Sequence, residues 1–409
     1  MSKSEVITAS GQTLRHLDGV PASFRIAGMI LLRSEKGSIR FDLPDGRKVL
    51  FDSGAEGPSA VVDVHDYGFA GRALAGGDIG FAESYMDQEW STPDLTALLE
   101  YFSANFEAAG KLAVGGALVK IANKIRHIFN RNSKSGARRN IMAHYDLGNA
   151  FYESWLDESM TYSSALFDRP NLSLEQGQAS KYSSIASLIN ANPDSHLLEI
   201  GCGWGGFAEY AAKFCGSKVT CLTISEAQRD YALQRMQREG LSERVEIKLE
   251  DYRDHQGLYD GVASIEMFEA VGEQYWPSYF AKVHDSLKDG AKAGLQIITI
   301  DDELFPRYRK RADFIQRYIF PGGMLPSESA LKSSFSEAGL RYEGVHYFGL
   351  DYARTLKAWA ERFEAAWGHI QTLGFDERFR RLWRYYLSYC EAGFRNGRIN
   401  VGQFEVAKI

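Results

Sequence analysis

The sequence predicts an α/β protein: a largely parallel sheet covered by helices on both faces, preceded by a small α+β domain. Three observations carry that reading. From residue 141 onward, apolar segments alternate with helical ones: HLLEI (196–200), KVTCLTI (218–224), RVEIKLE (244–250), YDGVASIEM (259–267) and AGLQIITI (293–300). Apolar strands separated by helix-length stretches are the pattern of a parallel sheet buried on both faces. A glycine-rich turn in EIGCGWGGFAEY (199–210) joins the first of these strands to a helix. Near the N-terminus, FRIAGMILLRSEKGSIRFDLPDGRKVLFDS (24–53) reads as short strands joined by turns, with PDG the clearest turn signal.

Taken in order, the elements divide the chain into three parts. Residues 1–110 form the α+β domain, strand-rich over 24–53 and more helical from about 64 to 108. Residues 111–140 form a basic helix and linker. Val114, Leu118, Ile121, Ile125 and Ile128 fall on one helical stripe, and NRNSKSGARRN (130–140) is polar. Residues 141–409 hold the alternating sheet and, over 350–395, helices rich in Trp, Tyr and Phe.

Composition narrows the function classes. The 409 residues are 44% hydrophobic and 24% charged, an ordinary globular balance. Net charge is −6, which argues against a nucleic-acid partner. Residues 111–139 nevertheless carry eight Lys or Arg and no Asp or Glu, leaving −14 on the remainder. A basic block on an acidic protein suits an anionic surface, and a peripheral membrane face is expected; docking on its own domain or in a homodimer is the other use of such a helix. No apolar stretch reaches the roughly 18–20 residues of a membrane span. The four cysteines show neither CxxC spacing nor a histidine at metal-ligand spacing, so a reducing cytoplasm and no metal are expected. The start, MSKSEVITASG, does not read as a signal peptide.

The glycine turn permits close backbone approach to a ligand at a helix N-terminus. It fits the dinucleotide pattern and the ExGxGxG pattern of methyltransferases alike. A dinucleotide site expects an acidic residue at the end of the second strand. That place reads LTISEAQ, with Glu226 only on the following turn. The strand YDGVASIEM ends on Glu266, with Glu269 and Glu273 close behind. Carboxylates at the end of a buried strand are costly unless a positive charge uses them.

HYDLGNAFYESWLD, MTYSSALF, EIGCGWGG, TISEAQ, EDYRD, MFEAVG, YIFPGGMLPS and FGLDYARTLKAW occur in order. Together they resemble the cyclopropane-fatty-acyl-phospholipid synthase family, which includes the mycolic acid cyclopropane synthases. The resemblance covers residues 140–409, and GFAESYMDQEW (80–90) resembles the N-terminal domain of the longer bacterial members. It implies a Rossmann-like class I methyltransferase sheet with a helical lid, using S-adenosylmethionine to alkylate the cis double bonds of unsaturated membrane phospholipids. The cofactor contacts it implies fall on Tyr162, Ser163, Gly201, Gly203, Thr223, Ile224, Gln228 and Tyr252. The catalytic carboxylate falls on Glu269. A bound bicarbonate, the family's ring-closing base, would be held by Glu269, Ile300 and Tyr352.

Four positions depart from the family pattern. A cysteine is replaced by Ser164 and a histidine by Ile298; a glycine is Glu266, and the histidine after the catalytic glutamate is Ala270. Adding a carboxylate beside an anion repels it. Either the site no longer holds bicarbonate, which is the favoured reading, or Glu266 points away from it; the catalytic group is read as Glu269, Glu266 and Tyr352. The expected product is a methyl- or methylene-branched acyl chain, with a desaturase or reductase as partner; the alternative is the family's cyclopropane ring. An NAD-type oxidoreductase and a lipid-binding protein with decayed catalysis are the rival functions.

Overall fold

The computed structural model describes residues 6–105 and 147–409. The basic segment 111–139 and the linker lie outside the described residues. Two compact units are present, one of residues 6–105, 311–314 and 374–396, the other of 147–310, 315–373 and 397–409.

The first unit contains β1 (Val6–Thr8), α1 (Gly11–Arg15), α2 (Ala22–Leu31), β2 (Ser38–Asp42), β3 (Lys48–Asp52), β4 (Ser59–Val64), α3 (Gly68–Met86), β5 (Trp90–Ser91) and α4 (Leu95–Ala104). Its sheet runs β1-β3-β2-β4-β5. One expectation is corrected here. FRIAGMIL belongs to a helix, not a strand: Pro21 caps α2, and Phe24 and Gly28, four apart, form its buried face while Ile26 and Met29 are exposed. A short run that is apolar but for Arg25 carries no clear period, so strand and helix read alike until capping and packing decide. Of the short strands expected within 24–53, two are present, at 38–42 and 48–52, and they alternate buried with less buried residues.

The second unit contains α5 (Asn149–Glu153), α6 (Leu174–Leu188), β6 (His196–Ile200), α7 (Gly206–Tyr210), β7 (Lys218–Thr223), α8 (Glu226–Arg238), β8 (Val245–Leu249), β9 (Tyr259–Ile265), α9 (Trp276–Ser286), β10 (Leu287–Ile300), α10 (Glu328–Glu337), β11 (Leu340–Tyr347), α11 (Gly349–Thr372) and, after the helix α12 (Glu377–Arg395) that packs in the first unit, β12 (Ile399–Lys408). The sheet order is β11-β12-β10-β9-β6-β7-β8. β8, β7, β6, β9 and β10 are parallel neighbours, and β12 runs antiparallel between β10 and β11. This is the Rossmann-like methyltransferase sheet. The five strands expected from the apolar runs form it; β11 and β12 complete it.

The order turns back on itself between β6 and β9. A ligand crevice opens at such a switch point, outside the carboxyl ends of the strands. Helix α12, expected within the methyltransferase domain, instead buries Trp383, Tyr385 and Tyr386 in the first unit. Among the described residues no helix is long and apolar enough to cross a membrane.

Candidate active site

The glycine turn follows β6. Gly201, Gly203 and Gly205 have φ of 81°, 51° and 84°, a left-handed region that side chains avoid. The two glycines expected at the cofactor differ in role. A β-carbon at Gly201 would stand 2.5 Å from Met267 Cγ, so that glycine makes room for the chain itself. At Gly203 a β-carbon would meet nothing within 4 Å, so this backbone faces open space. At the end of β7, Thr223 Oγ1 donates to Gln228 Oε1 at 3.1 Å, and the Ser225 hydroxyl caps α8. Glu250 N–H donates to Thr223 O, bringing Tyr252 to the same edge. The carboxyl ends of β6, β7 and β8 thus align Gly203, Thr223, Ile224, Gln228 and Tyr252 along one side of the switch point. Open backbone at a helix start beside polar groups on the neighbouring strand suits a nucleoside with an attached chain, as S-adenosylmethionine is.

The acid pair stands on the other side, after β9. Glu266 has φ 50°, at a cost of roughly 1–2 kcal/mol for a residue with a β-carbon. Three donors hold it. Ser164 N–H and Gln296 Nε2 donate to Oε1 at 2.8 and 2.7 Å, and the Tyr352 hydroxyl donates to Oε2 at 2.6 Å. Burial raises its pKa, against these hydrogen bonds and the charge of Lys181. Among the described residues no arginine pairs with it.

Glu269 accepts from Ile298 N–H at 2.6 Å through Oε1, while its Oε2 is buried without a hydrogen-bond partner among the described residues. Burial first, then the neighbouring Glu266 charge, pushes Glu269 up to about 8. An orphaned carboxylate oxygen beside a second carboxylate is a ready seat for positive charge. Glu273 is elsewhere, paired with Arg309.

Two residues expected to hold bicarbonate, Tyr352 and Ile300, are already engaged, and so are the neighbouring N–H groups of Ser164 and Ile298. Tyr352 and Ser164 N–H serve Glu266, Ile298 N–H serves Glu269, and Ile300 N–H donates to Pro326 O at 2.9 Å. The residues present do not fit that anion; the Glu266 carboxylate takes its partners.

Aromatic rings close the site. Trp359 lies 5.4 Å from Tyr162 and 6.1 Å from Tyr352 between ring centroids, and Phe320 lies 6.5 Å from Tyr162. The segment 163–167 is pinned by α11: Asp351 accepts from Phe167 N–H at 2.8 Å and Thr355 from Ala165 N–H at 3.1 Å. Sequence reasoning missed Gln296 and Lys181 as site residues. Gln296 is a polar residue on an otherwise apolar buried strand, and Lys181 a charged residue on a buried helix face shared with Gln178, Tyr182 and Ile185; those were the available signals.

Residues 132–404 match the family described as Mycolic acid cyclopropane synthetase. The chain belongs to that family. It is 39% identical over 340 residues to the Tuberculostearic acid methyltransferase UfaA1 of Mycobacterium tuberculosis, covering 81% of this chain and 79% of the relative. It is 36% identical over 360 residues to the Cyclopropane-fatty-acyl-phospholipid synthase of Escherichia coli K12, covering 84% and 87%. Among solved structures, mycolic acid cyclopropane synthase CmaA1 complexed with SAH and CTAB superposes with a TM-score of 0.63 at 30% identity, over 66% of this chain and 98% of that one. This mycolic acid cyclopropane synthetase homologue is thus an S-adenosylmethionine-dependent fatty-acyl methyltransferase with a Rossmann-like core and helical lid.

Proposed function

We propose that the enzyme methylates the double bond of an unsaturated acyl chain carried by a membrane phospholipid, working peripherally at the cytoplasmic face of the membrane. Gly203, Thr223, Ile224, Gln228 and Tyr252 hold the cofactor, with Tyr162 and Ser163 on its inner side. When bound, the cofactor supplies an electrophilic methyl group. The alkene that takes it carries a positive charge, which the Glu266–Glu269 pair and the faces of Tyr162, Trp359 and Tyr352 stabilise. A carboxylate then accepts a proton. Loss from the new methyl group closes a cyclopropane; loss from the carbon that bears it leaves a methyl-branched alkene, and a hydride shift from that carbon to the cationic one followed by loss from the methyl group leaves a methylene branch, either of which a reductase would saturate.

Between these products the comparisons back the ring, the alternative to the branch expected from the sequence. The relative from Escherichia coli and two solved relatives are named as cyclopropane synthases. One observation favours the branch: the Glu266 carboxylate is fixed by Ser164, Gln296 and Tyr352, so the proton acceptor is tethered, not a free anion. A proton acceptor must lie within about 2.6–3.2 Å of its proton or act through one water, so its position selects which proton leaves. Proton NMR and mass spectrometry of lipids from a heterologous host expressing the enzyme decide between them. Methylene or methyl-branch signals are expected; upfield cyclopropane protons as the main new signal establish the ring.

A further inference from the structure

Lys181 is fully buried on α6, on the face that also carries Gln178, Tyr182 and Ile185. Its ammonium donates to Ser163 Oγ at 2.6 Å and stands 4.4 Å from the centroid of the Tyr182 ring. An ammonium has three donors. Among the described residues Ser163 Oγ is the acceptor paired with it, and no carboxylate lies within ion-pair distance. Asp157, Glu199 and Glu266 act on it only from farther away, and burial lowers its pKa to about 7. A buried cation whose nearest partners are a hydroxyl and a ring is short of an anion.

The position of Ser163 says where that anion would sit. Its neighbour Ser164 gives its N–H to Glu266. On the other side, the Tyr182 hydroxyl packs against Gly206, at the start of the helix that follows the glycine turn. Ser163 therefore stands between the glycine turn and the acid pair. A ligand with its nucleoside at β7 and β8 and its methyl at the acid pair must pass this point. Because Lys181 donates to Ser163 Oγ, the hydroxyl hydrogen is turned away from the ammonium. Among the described residues it meets no acceptor.

We infer that Lys181 is a positioning residue for the cofactor's amino-acid end: through Ser163 it fixes a hydroxyl donor, and with its charge it favours the α-carboxylate of the methionine portion. The inference rests on the cofactor reading given above. Lys181 does not touch the reacting atoms.

Two ligands isolate the effect. S-adenosylhomocysteine carries the α-carboxylate, and 5′-methylthioadenosine lacks the amino-acid end. Calorimetric titration of Lys181→Met is expected to show about 10–100-fold weaker binding of S-adenosylhomocysteine, the size of one charge-assisted hydrogen bond, with 5′-methylthioadenosine bound as by the wild type. Equal weakening of both ligands, or an unchanged affinity for S-adenosylhomocysteine, overturns the inference. If Lys181→Met does not fold, Ser163→Ala decides, since it interrupts the same path without removing the buried charge. A selective loss of S-adenosylhomocysteine binding supports the inference, and wild-type affinity overturns it. A wild-type protein that binds neither ligand would instead refute the cofactor reading.

Discussion

Glu266 strains the backbone before it does any chemistry. Its φ of 50° suits glycine, the residue the family carries there, and three hydrogen bonds hold the glutamate in place. Strain kept in this way marks a position that function has fixed. Glu266→Gly should relieve the strain and free Tyr352 and Ser164 N–H for a small anion. If tethering directs the product, lipids made by this variant in bicarbonate buffer should gain cyclopropane signals that the wild type lacks. Glu269 gives a pH test. Its folded pKa of about 8 lies above the ordinary 4.5, so the folded chain holds this proton more tightly than the unfolded one. Its contribution to stability is whole below 4.5 and is lost as pH rises through about 8. Glu269→Gln removes that loss, so its melting temperature relative to wild type should be higher at pH 8 than at pH 5, by about 2–4 °C per kcal/mol. Gly203→Val places a branched side chain at a φ of 51° and into the open space at the glycine turn. A folded protein that no longer binds S-adenosylhomocysteine by calorimetry is the expected outcome.

Helix α11 works through its first turns. Asp351, Tyr352 and Thr355 reach, respectively, Phe167 N–H, Glu266 and Ala165 N–H. The helix thereby sets both the acid and the strip of backbone beside it. Tyr352→Phe removes one charge-assisted hydrogen bond, worth about 1.5–3 kcal/mol. It should lower kcat about tenfold or more and leave S-adenosylhomocysteine affinity unchanged; a loss confined to affinity would move Tyr352 to the cofactor. At this scale the sheet was legible, because its strands are apolar on both faces and its glycine turn is specific. The segment 22–31 was not, since so short a stretch, apolar but for Ser23 and Arg25, lacks a clear period and its Pro21 cap reads equally as a strand break. The site was half legible. Glu266 and Glu269 stand out as acids after a buried strand, and the resemblance named Tyr352. Gln296 and Lys181 come from β10 and α6, and only the tertiary fold carries them to Glu266 and Ser163.

For the whole molecule, the charge distribution sets the expected encounter with substrate. Eight basic residues over 111–139 sit on a chain otherwise at −14. Each contributes about 1 kcal/mol at an anionic bilayer, and salt screens it. Binding to anionic vesicles should weaken as salt rises and weaken further when Lys120, Lys124, Arg131 and Arg138 are reversed in charge. A variant that sediments with vesicles as wild type does would make the segment an interface between protein surfaces. The chain path has a separate consequence. Helix α12 packs on α3 and α4: Arg381 donates to Tyr85 O at 2.5 Å and Trp90 O at 2.7 Å, and Thr96 donates to Glu391 at 3.0 Å. Those partners are nearly 300 positions apart. On the ribosome, the amino-terminal unit is begun first but cannot close until late, because its closing helix emerges only after most of the other unit has been translated. Domains that are contiguous in sequence fold in order of synthesis. This one must wait, its apolar helix faces a ready client for a chaperone until the final tenth of the chain appears.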